Sequence, residues 1–110
     1  HPDHVALFQN RRDQLVSGLN TLPSITCNTP PGAFYAFASI KSVLDNPSTP
    51  GGPIANALEF CDRLLKEHDV MCIPGDAFGD PPSIRLSYAV DSETIKTGLS
   101  RLHTFLGSIL

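Results

Sequence analysis

The sequence predicts an α+β fold, a small, mostly antiparallel sheet covered by helices, in the order helix, strand, strand, helix, strand, strand, helix. Three observations carry this. Apolar residues recur at helical intervals in three separate stretches. Short alternating or wholly apolar runs lie between them. Clusters of Pro and Gly, at Pro30-Pro31-Gly32, 46–53 and Pro74-Gly75, punctuate the chain and forbid longer elements. With 110 residues the chain fits a single domain. A chain of that length buries roughly two thirds of the surface its unfolded form exposes, enough for a core without staples.

Each element has a local reason. From His4 to Asn20, Val5, Phe8, Leu15 and Leu19 recur at helical spacing, with Arg12 at the missing step. Thr21 to Pro23 ends that helix, and Ser24 to Cys27 reads as a short strand. After the Pro30-Pro31-Gly32 turn, the aromatic-rich run Ala33 to Ala38 reads as a second strand. Three prolines in the eight residues 46–53 make a loop, and Pro53 suits the first turn of the next helix. Ile54, Ala57, Leu58, Cys61, Leu64 and Leu65 form its stripe, with Lys66 and His68 in the last turn where positive charge is favoured. Val70 to Ile73 is an apolar strand stopped by Pro74-Gly75. Ser83 to Ala89 alternates, placing Ile84, Leu86 and Tyr88 on one face and Arg85 and Ser87 on the other. Asp91 caps a last helix with Ile95, Leu99, Leu102, Leu106 and Ile109 as its stripe.

Composition excludes several functions. A net charge of −3 argues against a nucleic-acid partner, which requires a Lys/Arg-rich face. No apolar run approaches the ~20 residues a membrane span needs, so no membrane partner is expected. Cys27, Cys61 and Cys72 form no C-x-x-C or C-x-x-H pair, and the four histidines are scattered. No metal site is therefore expected; the cysteines read as buried free thiols of a reducing, intracellular and cytoplasmic compartment. The chain starts at His1 rather than Met, as a processed, tagged or shortened chain would.

No nucleophile elbow, P-loop or H-E-x-x-H motif is present. The loop Pro74 to Gly79 has two glycines, but Asp76 in its middle disfavours phosphate and suits a plain connection. Phe34, Tyr35 and Phe37 fit cross-strand pairs. Arg85 is the unusual position, a guanidinium between Ile84 and Leu86 on a strand. It fits either an arginine on a solvated sheet face or a rigidly held fork for a carboxylate. The pattern leaves both open.

Four blocks in order resolve this by resemblance. Val70-Met71-Cys72-Ile73-Pro74-Gly75-Asp76-Ala77-Phe78-Gly79 followed by Ile84-Arg85-Leu86-Ser87-Tyr88-Ala89 resembles the "P-G-x-x-F-G … I-R-L-S-Y/F-A" region of class I pyridoxal-phosphate aminotransferases. Arg11-Arg12-Asp13 and Pro31-Gly32-Ala33-Phe34-Tyr35-Ala36-Phe37 resemble the same family's "R-R-D" helix and "P-x-G-A-F-Y-x-F" strand, although Pro30-Pro31-Gly32 departs slightly in spacing. The 59–65 helix lies where the family has one.

The resemblance implies that residues 1–110 are the small, C-terminal domain of a longer enzyme, with Arg85 binding the substrate α-carboxylate and Phe34 lining the site entrance. It implies pyridoxal 5'-phosphate in the parent, amino acid and 2-oxo acid substrates, and a parent homodimer. The cofactor ring serves the family as an electron sink while the Cα proton moves. The family's Schiff-base lysine belongs to a large domain, and Lys41, Lys66 and Lys96 lack its loop context. The fragment is thus expected to be inactive, to bind no cofactor and to expose an apolar patch on the sheet or the Phe34 side, where the large domain packs. Pyridoxal-phosphate lyases and synthases share this small domain. The alternative from another class is a free-standing α+β ligand-binding or regulatory module.

Overall fold

A computed structural model describes residues 2–28, 35–88 and 90–110. Helix α1 spans Pro2–Asn20, strand β1 Thr26–Asn28 and strand β2 Tyr35–Ser39. A single-turn helix α2, Lys41–Leu44, follows, then α3, Ala57–His68. Strand β3 is Ile73–Pro74, a 3-10 turn covers Gly75–Phe78, strand β4 is Ser83–Ser87 and helix α4 is Ser92–Ile109. A small antiparallel four-strand sheet with helices is as expected; α2 and the 3-10 turn are additional to the expected order. The strands form one antiparallel sheet in the order β1-β2-β4-β3.

One face of this sheet carries the core. Cys27, Ala36, Ala38, Ile84 and Leu86 alternate inward and are buried, as is Tyr88 beyond the strand. Helix α4 packs against α1 and α3, and α1 and α3 pack over these strands. At the centre, Phe60 of α3 meets Phe105 of α4 edge to face, with ring centroids 5.2 Å apart and both side chains fully buried.

The helix ends follow side-chain chemistry. Asn56 caps α3 by accepting the Glu59 N–H at 2.9 Å, while Glu59 accepts the Ala55 N–H at 2.8 Å. The helix therefore starts at Ala57, and Pro53 lies ahead of its first turn rather than within it. Asp69 ends α3 in the left-handed region at φ 57°, which a short polar side chain tolerates. Asp91 caps α4 as expected, accepting the Thr94 N–H at 2.7 Å.

Four sequence expectations shift. The first strand begins at Thr26, because Ser24 has φ 63° and cannot join a ladder. The Val70–Ile73 strand reduces to Ile73–Pro74; β3 is an edge strand, where a residue without an N–H is tolerated. The α3 stripe is rotated, burying Phe60 with Ala57, Cys61 and Leu64 and leaving Leu58 63% exposed. Val5 is exposed too, so α1 is anchored by its second half through Leu15 and Leu19. The start of the second strand, Ala33 and Phe34, and the Pro30-Pro31-Gly32 turn lie outside the described residues, as does Ala89.

Asn20 secures the other sheet edge. Its Oδ1 accepts the Cys27 N–H at 2.8 Å and its Nδ2 donates to the Cys27 carbonyl at 3.0 Å, tying β1 to the end of α1. This uses edge groups that would otherwise offer a pairing template.

The β3–β4 connection demands glycine at one position. A Cβ on Gly75 would run into the Asp80 carbonyl and the Ser83 hydroxyl, since the 3-10 turn folds back tightly enough for the Asp80 N–H to reach the Gly75 carbonyl at 2.9 Å. Gly75→Ala should therefore destabilise by about 1–3 kcal/mol through forced backbone movement. Gly107→Ala, on an exposed α4 position with open space, should instead stabilise by up to about 1 kcal/mol. Urea unfolding of the two variants checks this, and equal midpoints would refute the close approach.

Candidate functional site

Arg85 sits at the middle of β4, an interior strand, so ladder bonds on both sides fix its backbone. Its direct partners are Phe37 on β2 and Ile73 on β3. Directly opposed residues share a face, so Phe37, Arg85 and Ile73 form one row on the side away from Ile84 and Leu86. All three are half-buried. Apolar residues thus flank the arginine on both neighbouring strands.

The arginine head has a defined seat. The guanidinium carbon lies 4.2 Å from the ring centroid of Tyr35, which occupies the diagonal position on β2. A cation over an aromatic face is worth about 0.5–1 kcal/mol at an exposed site and more when desolvated. The attraction uses the ring's π face and orients the fork. Tyr35 is 36% exposed. Alternation along β2 puts Tyr35 and Phe37 on a common face, but their meeting with Arg85 depends on a register that the sequence does not display.

Tyr35 and Arg85 line a cavity of about 740 Å³ that continues to Ile73, Met71 and the first turns of α4. This volume falls in the range of small-molecule sites. Met71, 75% exposed, stands at its margin. Its charged lining includes Arg101, which approaches Asp69 Oδ2 at 3.7 Å and donates to the Asp69 carbonyl at 3.4 Å. Asp91 lies there too, its carboxyl held below the usual range by the Thr94 hydrogen bonds and, less strongly, by the Arg11 charge. Phe34, the other expected site residue, lies outside the described residues. Of the apolar patch expected on the sheet or the Phe34 side, Phe34 and the Phe78 side chain lie outside the described residues, while Tyr35 on the sheet and Met71 ahead of β3 are exposed.

Residues 2–102 of the chain match the family described as aminotransferase class I and II. The chain belongs to that family. An aspartate aminotransferase of Rhizobium meliloti (strain 1021) is 40% identical over 95 residues, which cover 86% of this chain and 23% of that protein. A probable aspartate/prephenate aminotransferase of Rhizobium leguminosarum bv. phaseoli is 35% identical over 107 residues, 97% of this chain and 27% of that protein. The crystal structure of the aspartate aminotransferase from Rhizobium meliloti superposes with a TM-score of 0.86 at 38% identity, over 94% of this chain and 26% of that one. This aminotransferase chain thus spans about a quarter of the length of these relatives.

Family membership implies pyridoxal phosphate in the full-length enzyme. The residues described here do not fit it as an anchor. Lys41 and Lys66 are exposed and engaged with Asp45 and Asp62 one helical turn away, and Lys96 is exposed on α4. Among the described residues, no lysine lines the Arg85 cavity. The 3-10 turn at Gly75–Phe78 is a connection between β3 and β4, with Asp76 exposed on it.

Proposed function

We propose that this chain is the small, C-terminal domain of a longer aminotransferase and that Arg85 holds the substrate's α-carboxylate. The parent transfers an amino group between an amino acid and a 2-oxo acid; the names of the relatives favour aspartate as the donor. The observation that carries this reading is the Arg85 guanidinium, held on an interior strand and seated over Tyr35 at 4.2 Å beside a cavity of small-molecule size. A planar fork so oriented suits bidentate recognition of a carboxylate. Tyr35 and Phe34 then belong to the site entrance. Pyridoxal phosphate, its lysine and the opposing wall of the site come from the remainder of the parent, a homodimer.

The division of labour is testable with two proteins. The full-length protein containing this chain, supplied with pyridoxal phosphate, aspartate and a 2-oxo acid, should form the exchanged amino acid. The 110-residue chain should show neither turnover nor a stoichiometric visible band. A borohydride-reducible adduct on Lys41, Lys66 or Lys96 of the chain, or a full-length protein without amino transfer, would overturn the reading.

A further inference from the structure

Cys61 and Cys72 lie outside the Arg85 cavity and have no part in the proposed amino transfer. The fold nevertheless brings their sulfurs to 3.0 Å, with the Cys72 S–H donating to Cys61 Sγ. Cys61 is on the buried face of α3 and Cys72 immediately precedes β3; the left-handed turn at Asp69 returns the chain along the helix end and aligns them. An S–S bond is about 2.05 Å, so about 1 Å of closure separates the thiols from a disulfide. Each keeps a trace of exposure, 6% and 9%, whereas the neighbouring Phe60 and Leu64 have none.

We propose that Cys61 and Cys72 are an oxidation-sensitive dithiol that closes to an intramolecular disulfide with a peroxide. The Cys61 thiolate attacks a peroxide oxygen, the O–O bond breaks, and hydroxide leaves, giving a sulfenic acid at Cys61. Cys72 then loses its proton and attacks the Cys61 sulfur; the S–S bond forms, the S–O bond breaks, and the departing hydroxide takes up a proton as water. Two thiols and one hydrogen peroxide yield one disulfide and two waters, the sulfurs losing the two electrons that the peroxide gains.

The order of events follows from the hydrogen bond. Donation from Cys72 pushes the Cys61 thiol down, against its burial and the Asp76 charge, and the same bond pushes Cys72 up together with burial. At Cys27, by contrast, burial raises the thiol to about 11. The bond would tie α3 to β3, a two-residue edge strand whose Ile73 pairs with Arg85. Oxidation would thus brace the strand beside the arginine.

Trypsin separates the three cysteines into peptides 13–41, 42–63 and 67–85, so mass spectrometry of the folded chain decides the matter. After hydrogen peroxide, alkylation and digestion without reductant, 42–63 should appear joined to 67–85, lighter by two hydrogens than the separate peptides. Cys27 in 13–41 should remain alkylated, with the pair lost roughly 10-fold faster or more. Exposed Met71 in 67–85 adds an oxygen when oxidised, which the mass distinguishes. Cys72→Ser, checked for fold by circular dichroism, should stop at a Cys61 sulfenic acid trapped by dimedone. Recovery of both thiols at the Cys27 rate, or a cross-link that involves Cys27 or a second chain, would overturn the proposal.

Discussion

Phe105→Ala should lower the unfolding free energy by about 3–5 kcal/mol, a large part of the roughly 5–15 kcal/mol that holds a domain folded. The ring is fully buried, packs edge to face on Phe60 and lies 5.3 Å from the His68 ring and 5.5 Å from the Arg63 guanidinium carbon. Its removal leaves a cavity where α3 and α4 meet, and neither helix can collapse inward without disturbing the sheet below. The expected fall in Tm is on the order of 15 °C or more. Leu58→Ala, on the same α3 but 63% exposed, should change stability by no more than about 0.5 kcal/mol. Calorimetry of both variants tests the contrast. Similar losses would show that the aromatic pair is not the centre of the core.

In the full-length enzyme, Arg85→Lys should reduce kcat/KM by one to two orders of magnitude. Lysine keeps the charge but replaces a planar fork with a point donor, forfeiting the two-pronged geometry and the stacking on Tyr35. Each lost charge-assisted hydrogen bond corresponds to about 1.5–3 kcal/mol of transition-state stabilisation. The loss should be similar for every amino donor, because all carry the α-carboxylate. Steady-state kinetics with two chemically different donors provide the check. A defect confined to one donor would reassign Arg85 to side-chain recognition.

Sequence-local physics made much of the molecule legible. The stripes of α3 and α4 announce their helices, Asp91 announces its cap, and the alternation from Ile84 to Tyr88 places Arg85 on the face opposite the core. Each follows from a period or a hydrogen bond spanning a few residues, which the chain carries with it whatever it packs against. The motif blocks around Gly75 and Arg85 belong to the same category, since they lie within one short stretch of chain.

Position within the stripe was harder to read. Phe60 and Phe105 stand at stripe margins, and only the direction of packing between α3 and α4 shows them to be the centre rather than the flank. The contraction of the Val70–Ile73 run to Ile73–Pro74 has a similar origin, because a strand exists only where a partner supplies ladder bonds and β4 does so for two residues.

By itself, then, the sequence determined the long helices, the Asp91 cap, the family and the place of Arg85 on its strand. The tertiary structure decided what that arginine touches. Tyr35 and Arg85 are brought together by the β2–β4 register, and Cys61 and Cys72 by a helix end and an edge strand. Neither meeting leaves a periodic trace, because contact across a sheet or around a turn depends on the pairing of distant backbones, whose outcome is settled by burial of the whole core.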